Sequence, residues 1–276
     1  MRLTTKIILG IILSIFFITL TFIIGFSFSD RKNHTYSNSN VIDLPQDNMT
    51  GIELAPFKTI LINEIPFETK NYYYYGISDN CNILFNSAPA NSSPEMLFIP
   101  GVLKDFISVN TSNDTLLVTL NLRDLSEKYR NNEHRFQAIS GINLHFNISN
   151  LDIINNSGTL GLHIKNFETD SIKINSHGNI FIDSCKALFI DPQIINSYKD
   201  LGITNCDIKR INLDLDKMHN WSIGNCNIEE QHLTGSGKHD IKQHRNEASN
   251  IMWTPKNKDA ELNIKIQGET TQIIIR

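Results

Sequence analysis

Five aspartates in the second half of the chain, Asp183, Asp191, Asp207, Asp214 and Asp216, are the residues most suited to chemistry by type. Glycoside hydrolysis needs two carboxylates facing each other across the scissile bond, roughly 5 to 9.5 Å apart. If these five line one face of a regular structure, a pair could meet that need, but no local motif selects the pair, and the same residues describe an ordinary solvated face. A lyase would also want a basic group beside the acids, and only Lys209-Arg210 lies nearby in sequence. A carbohydrate-active enzyme is therefore the alternative reading, and the expectation is a chain without catalysis.

His232, His239, Asp240 and His244 make the densest imidazole group. Their spacing matches no zinc pattern, and Gly235-Ser236-Gly237 beside them reads as an exposed turn. No metal or other cofactor is expected. A phosphate-binding glycine loop, a Ser-His-Asp order and a Gly-x-Ser-x-Gly elbow are all absent from the sequence. Tyr72, Tyr73, Tyr74 and Tyr75 would place two rings on each face of a strand, so one pair could stack on a sugar. Packing explains strand aromatics equally well.

The elements that would position such residues follow from a repeat. It runs Asn147-Ile148-Ser149-Asn150-Leu151, His163-Ile164-Lys165-Asn166-Phe167, Phe181-Ile182-Asp183-Ser184-Cys185, Gly202-Ile203-Thr204-Asn205-Cys206 and Ser222-Ile223-Gly224-Asn225-Cys226. The isoleucines are 16, 18, 21 and 20 residues apart. A period near 20 residues rich in β-branched side chains indicates stacked coils. In a strand, residues two apart share a face, so each Ile and the Asn or Ser after it should point the same way. The following apolar residue faces inward only if the chain turns a corner, and Asn tolerates the left-handed conformation that a corner can require. Stacked in register, Ile148, Ile164, Ile182, Ile203 and Ile223 form one column, and Asn150, Asn166, Asn205 and Asn225 form an amide ladder with Ser184 as its weak rung. Ile241 fits a degenerate sixth coil. A β-sandwich with evenly spaced strands is the competing architecture.

Cys185, Cys206 and Cys226 occupy equivalent positions in successive repeats. Stacking makes their Cα–Cβ vectors parallel, whereas a disulfide needs converging Cβ atoms. They are expected to be small apolar fillers, and Cys81 a structural thiol.

The chain has 276 residues and a formal net charge of −4, enough length for a sizeable core and no basic field for nucleic acid. Residues 1–6 form a short basic leader. Residues 7–28 carry no charge, and as a helix they would reach about 33 Å, enough to cross a bilayer core. A cleaved signal peptide would usually have a shorter apolar region, so an uncleaved anchor in the lipid bilayer is expected, with the C-terminal part outside the cytoplasm in the periplasm or at the cell surface. Residues 29–56 read as a polar linker, and the domain as spanning 57–276. Within it, 106–109 and 116–120 read as a hairpin about Asn113-Asp114. The charged stretch near 124–135, with Arg123, Lys128, Arg130 and Arg135, reads as a short helix or solvated loop.

An alternating strand at Phe57–Ile62 after an anchor and tether, then a hairpin, then Asn- and Gly-punctuated coils such as Ile153 to Gly178, resembles the head GIN domain of Bacteroidetes-type autotransporter adhesins. The charged stretch and the cysteine ladder depart from that family's pattern. The resemblance implies an all-β fold, a right-handed parallel β-helix on the cell envelope. Stacked coils also present long faces of repeated side chains, so the expectation is an adhesin-like binding or structural domain whose partners are glycans or envelope proteins. A signalling or assembly partner is a further alternative, and an exposed end coil would permit self-association.

Overall fold

The computed structural model describes residues 41–46, 48–67, 74–78, 80–88, 94–129, 136–196, 199–218, 220–243, 248–266 and 272–275. The expected leader and anchor lie outside these residues. Among the described residues, no helix is long and apolar enough to cross a membrane.

Strands dominate. The first nine are β1 (Val41–Asp43), β2 (Met49–Leu54), β3 (Thr59–Ile65), β4 (Tyr74–Ile77), β5 (Asn82–Ser87), β6 (Glu95–Pro100), β7 (Ile107–Ser112), β8 (Thr115–Asn121) and β9 (Phe136–Ser140). Next come β10 (Asn143–Ile148), β11 (Ile153–Asn156), β12 (Gly161–Lys165), β13 (Glu168–Ser176), β14 (Ile180–Asp183), β15 (Lys186–Ile194) and β16 (Asp200–Thr204). The last are β17 (Asp207–Asp214), β18 (Asn220–Gly224), β19 (Asn227–Gly235), β20 (Lys238–Gln243), β21 (Asn250–Pro255), β22 (Glu261–Ile266) and β23 (Gln272–Ile275).

From β11 onward the odd-numbered strands all lie in one ten-stranded sheet, while β12, β14, β16 and β18 lie side by side in an eight-stranded sheet. All of these neighbours are parallel. Parallel pairing between every second strand means that the chain leaves one sheet, crosses to the other and returns one position further along. The register is direct: Ile164 lies opposite Ile182, Ile182 opposite Ile203, and Ile203 opposite Ile223. Across the interior, Ile172, Ile190, Ile211, Gln231 and Ile251 form a second column. Nearly all of these side chains are fully buried, and each isoleucine contributes about 1.5–3 kcal/mol by leaving water.

The first isoleucine of the repeat departs from its expected place. Strand β5 inserts between β10 and β12, so Phe85 faces both Phe146 and Ile164, and Ile148 faces Ser87 two residues further along. The column therefore begins with Phe146 and Phe85, whose rings stack at 4.8 Å, and Ile148 stands outside it. The reason is the long-range pairing energy of a strand more than sixty residues upstream, which no local repeat encodes.

The polar linker also needs correction. Its second half is folded: β1 pairs with β9, and β2 pairs antiparallel with β6. Leu54 and Leu44 are buried, so these strands contribute apolar contacts despite their polar neighbours. The hairpin β7–β8 forms with Asn113 and Asp114 both at positive φ, 48° and 59°, the pattern of a type I′ turn. In the charged stretch, Leu122–Lys128 is a helix capped by Asn121, whose side chain accepts the Asp124 N–H, and Leu122 and Leu125 are buried beneath it. Ile241 pairs with Ile264 in a separate two-stranded sheet rather than with Ile223.

Candidate functional site

The repeated corner is built from one residue in the left-handed conformation. Asn166, Ser184, Asn205 and Asn225 have φ of 62°, 55°, 55° and 61°. This single residue reverses the in–out alternation, so these side chains are exposed instead of sharing the buried face of the preceding Ile, and the residue after each points inward. The expectation of a buried amide ladder is corrected accordingly. Each corner N–H donates to a carbonyl of the next coil: Asn166 to Asp183, Ser184 to Thr204 and Asn205 to Gly224. Among the side chains, Asn225 donates to Asn205 and Asn205 donates to the carboxylate of Asp183, bypassing Ser184. Asn150 does not take the left-handed conformation, and so it is not a rung either.

Behind the corner, Phe167, Cys185, Cys206 and Cys226 fall at equivalent inward positions of successive coils, joined by Lys186, Asp207 and Asn227 N–H groups donating to the carbonyls of Phe167, Cys185 and Cys206. All four cysteines of the chain are buried and free. The Cys185 N–H donates to the sulfur of Cys206, and the Cys206 N–H to that of Cys226, both at 3.4 Å. The Cys206 thiol lowers the pKa of Cys185, while its own is pushed up to about 11 by its bond to Cys185. Cys226 is raised through Cys206. Cys81, whose pKa is raised by burial, accepts the Ile142 N–H.

Just past the corner lies an open groove of about 560 Å³ that crosses four coils, lined by Glu168, Asp170, Lys186, Leu188, Lys209 and Glu229 among others. It exists because β15, β17 and β19 each turn two consecutive residues outward, Leu188-Phe189, Lys209-Arg210 and Glu229-Glu230, between inward residues at either side. Breaking the strict alternation bends each strand at the same level. Outward residues then stand in rows: Glu168, Lys186, Asp207 and Asn227 in one, Ser171, Phe189, Arg210 and Glu230 in another. Lys186 pairs with Glu168 at 2.9 Å, Asn227 donates to Asp207 at 3.0 Å, and Arg210 pairs with Glu230 at 2.7 Å. The Arg210 guanidinium holds the Glu230 carboxyl below its usual range, and Glu168 raises the Lys186 ammonium. Leu188 is 56% exposed at the centre of this charged surface.

No family model matches the chain, and no curated protein matches it. Among solved structures it resembles a "putative adhesin" from Bacteroides fragilis, with 15% identity and a TM-score of 0.49 over 85% of this chain and 99% of that one. A second "putative adhesin", from Parabacteroides distasonis, is 10% identical at a TM-score of 0.40, over 86% of this chain and 100% of that one. A "putative lipid binding protein" from Parabacteroides distasonis is 12% identical at 0.35, over 86% and 99%. At these TM-scores the likenesses decide nothing about function, and the chemistry has to be read from the side chains.

All five aspartates considered for catalysis are engaged. Asp183 accepts from Thr204 and Asn205, Asp191 from Gln193, and Asp207 from Asn227. Asp214 and Asp216 share the ammonium of Lys256, and Asp216 also accepts the Ser236 N–H at 2.8 Å and contacts His239 Nε2 at 3.1 Å. The Asn205 and Thr204 donors lower the pKa of Asp183. Burial opposes ionisation of Asp216, yet the Ser236 N–H and Lys256 outweigh it and hold the pKa well below the carboxylate range. A general acid needs the opposite shift.

His239 is thus a partner of Asp216, and His232 lies 3.3 Å from Glu230. His244 lies outside the described residues. Among those described, no three His, Cys, Asp or Glu side chains converge to hold one metal ion. Tyr72 and Tyr73 also lie outside the described residues, and Tyr74 and Tyr75 begin β4, beside Phe136 and Gln137 of β9. Sequence reasoning missed the groove. Its signal was present in the paired non-aligned residues just before Ile190 and Ile211, where a strictly alternating strand would have had one.

Proposed function

We propose that this chain is a non-catalytic, adhesin-like binding module of the cell envelope. In this reading residues 7–28 hold it in a membrane and the alternating parallel strands wind as a right-handed β-helix outside the cytoplasm. Its binding face is the corner groove, and its ligand an extended polar chain, a glycan strand or a segment of an envelope protein, lying across the coils. The observation that carries this is the set of rows crossing the groove, in which acidic, basic and amide groups recur at the strand spacing of about 4.8 Å. Groups in such rows suit many weak contacts along a polymer better than one tight contact with a small molecule. The engaged state of the five aspartates, with Asp183 and Asp216 shifted toward the ionised form, favours binding over hydrolysis.

The test pairs a glycan and envelope-protein array with a reducing-sugar release assay on the same preparation. Binding that weakens in Lys186→Glu and Lys209→Glu, without sugar release, supports the module. Sugar release that disappears with Asp183→Asn or Asp207→Asn overturns it. External protease on intact cells, spheroplasts and lysed cells tests sidedness: digestion of the domain in intact cells or spheroplasts is expected, and protection in both with digestion only after lysis would place it in the cytoplasm.

A further inference from the structure

The cysteine column has no role in the proposed binding face, and its geometry goes beyond that of a hydrophobic filler. We propose that Cys185, Cys206 and Cys226 bind soft monovalent cations of the copper(I) type, each ion held linearly between two consecutive sulfurs.

Three observations carry this. First, the three thiols sit at equivalent positions of successive coils, so neighbours follow the strand spacing of about 4.8 Å. Half of that is about 2.4 Å, close to metal–thiolate bond lengths of about 2.3 Å. An ion on the line between two sulfurs therefore needs no cavity. Second, the sulfurs of Cys206 and Cys226 each face a backbone N–H at 3.4 Å. Each of these N–H groups stays aimed at its sulfur when a metal ion replaces the thiol proton, so a metal-bound sulfur keeps a hydrogen-bond donor. Third, the ligand set is restricted to sulfur. Among the described residues no third His, Cys, Asp or Glu converges with any pair, which excludes a tetrahedral zinc site and matches the preference of soft ions for thiolate. Phe167 closes one end of the column, and Cys226, the most exposed of the three, is the point of entry.

The protons balance. One monovalent ion between two sulfurs replaces two thiol protons, which pass to solvent, and leaves one net negative charge facing the N–H donors. A second ion in the other gap replaces the third proton and keeps the net charge unchanged. Loading gives up the thiol bonds that Cys185, Cys206 and Cys226 now donate to the carbonyls of Asp183, Thr204 and Gly224.

The test uses the full chain in detergent, reduced and handled without oxygen, titrated with copper(I) against a chromogenic chelator. The expected result is about two ions per chain, with X-ray absorption showing two sulfur neighbours per ion at about 2.3 Å. Cys206→Ala removes both gaps and should abolish binding. Cys185→Ala and Cys226→Ala should each leave about one ion, and Cys81→Ala should leave both. Circular dichroism shows which variants fold, and if Cys206→Ala does not, the two end variants decide. No uptake by the reduced wild type, three or more ligands per ion, or loss of binding in Cys81→Ala alone would each overturn the proposal.

Discussion

Asn225 donates its side-chain amide to Oδ1 of Asn205 at 3.0 Å, while both residues hold left-handed backbone conformations with φ of 61° and 55°. At these two corners one residue type thus performs two tasks. Its backbone makes the bend that turns the next side chain inward, and its amide ties one coil to the next. Asn205 itself donates onward to Asp183 at 2.8 Å.

Separating the two tasks gives the first expectation. Asn205→Ala loses the amide bonds and also places a Cβ-bearing residue without local hydrogen bonding at positive φ, costing about 1–2 kcal/mol for the backbone alone. Asn205→Gly loses the bonds only and should cost about 1 kcal/mol or less, since both amides are exposed. Urea midpoints should rank wild type, Gly, then Ala; an Ala variant more stable than Gly would mean that the corner conformation is not what asparagine supplies.

The isoleucine column should respond by position. Ile203→Ala empties a fully buried site between Ile182 and Ile223 and should cost about 2–5 kcal/mol, whereas Ile203→Val should cost about 0.5–1.5 kcal/mol. Equal small losses for both would show an interior loose enough to collapse around the gap.

Two glycines should behave oppositely. A Cβ on Gly178 would lie 2.0 Å from the carbonyl oxygen of Leu160, which is backbone and cannot swing away, so Gly178→Ala should destabilise by more than about 2 kcal/mol. At Gly224 the nearest atom is Cγ2 of Thr204 at 3.9 Å, and Gly224→Ala should stay within about 0.5 kcal/mol of wild type. Thermal melts of the pair are sufficient to check this.

The Asp214–Asp216–Lys256 cluster sets a pH dependence at both ends. Asp216 has a folded pKa below its unfolded value of about 3.9, so in that window the unfolded chain binds more protons and stability falls as pH is lowered through the folded pKa. Burial works against the Lys256 ammonium, but Asp214 and Asp216 raise its pKa above the ordinary value. Its contribution is complete below about pH 10.4 and is lost as pH rises through the folded pKa. Urea titrations should therefore show a shallower acid limb in Asp216→Asn and a shallower alkaline limb in Lys256→Met. Unchanged limbs would mean that the cluster is screened by solvent.

The sequence by itself determined the period, the β character and the identity of the inward isoleucines from Ile164 onward. These follow from local steric preference and from burial at a fixed spacing, both of which leave their mark on residue type. It also marked the corners, because asparagine is the non-glycine residue most at ease at positive φ. The facing of the asparagines was decided only in three dimensions, since a left-handed residue inverts the alternation that a sequence pattern takes for granted. The displacement of Ile148 belongs to the tertiary structure too. Strand β5 reaches across some sixty residues to pair between β10 and β12, and a contact of that range is selected by the whole interior rather than by neighbouring residues. The partners of the five aspartates were equally invisible. Most donors sit one coil away, about twenty residues along the chain, and register alone brings them to their acceptors.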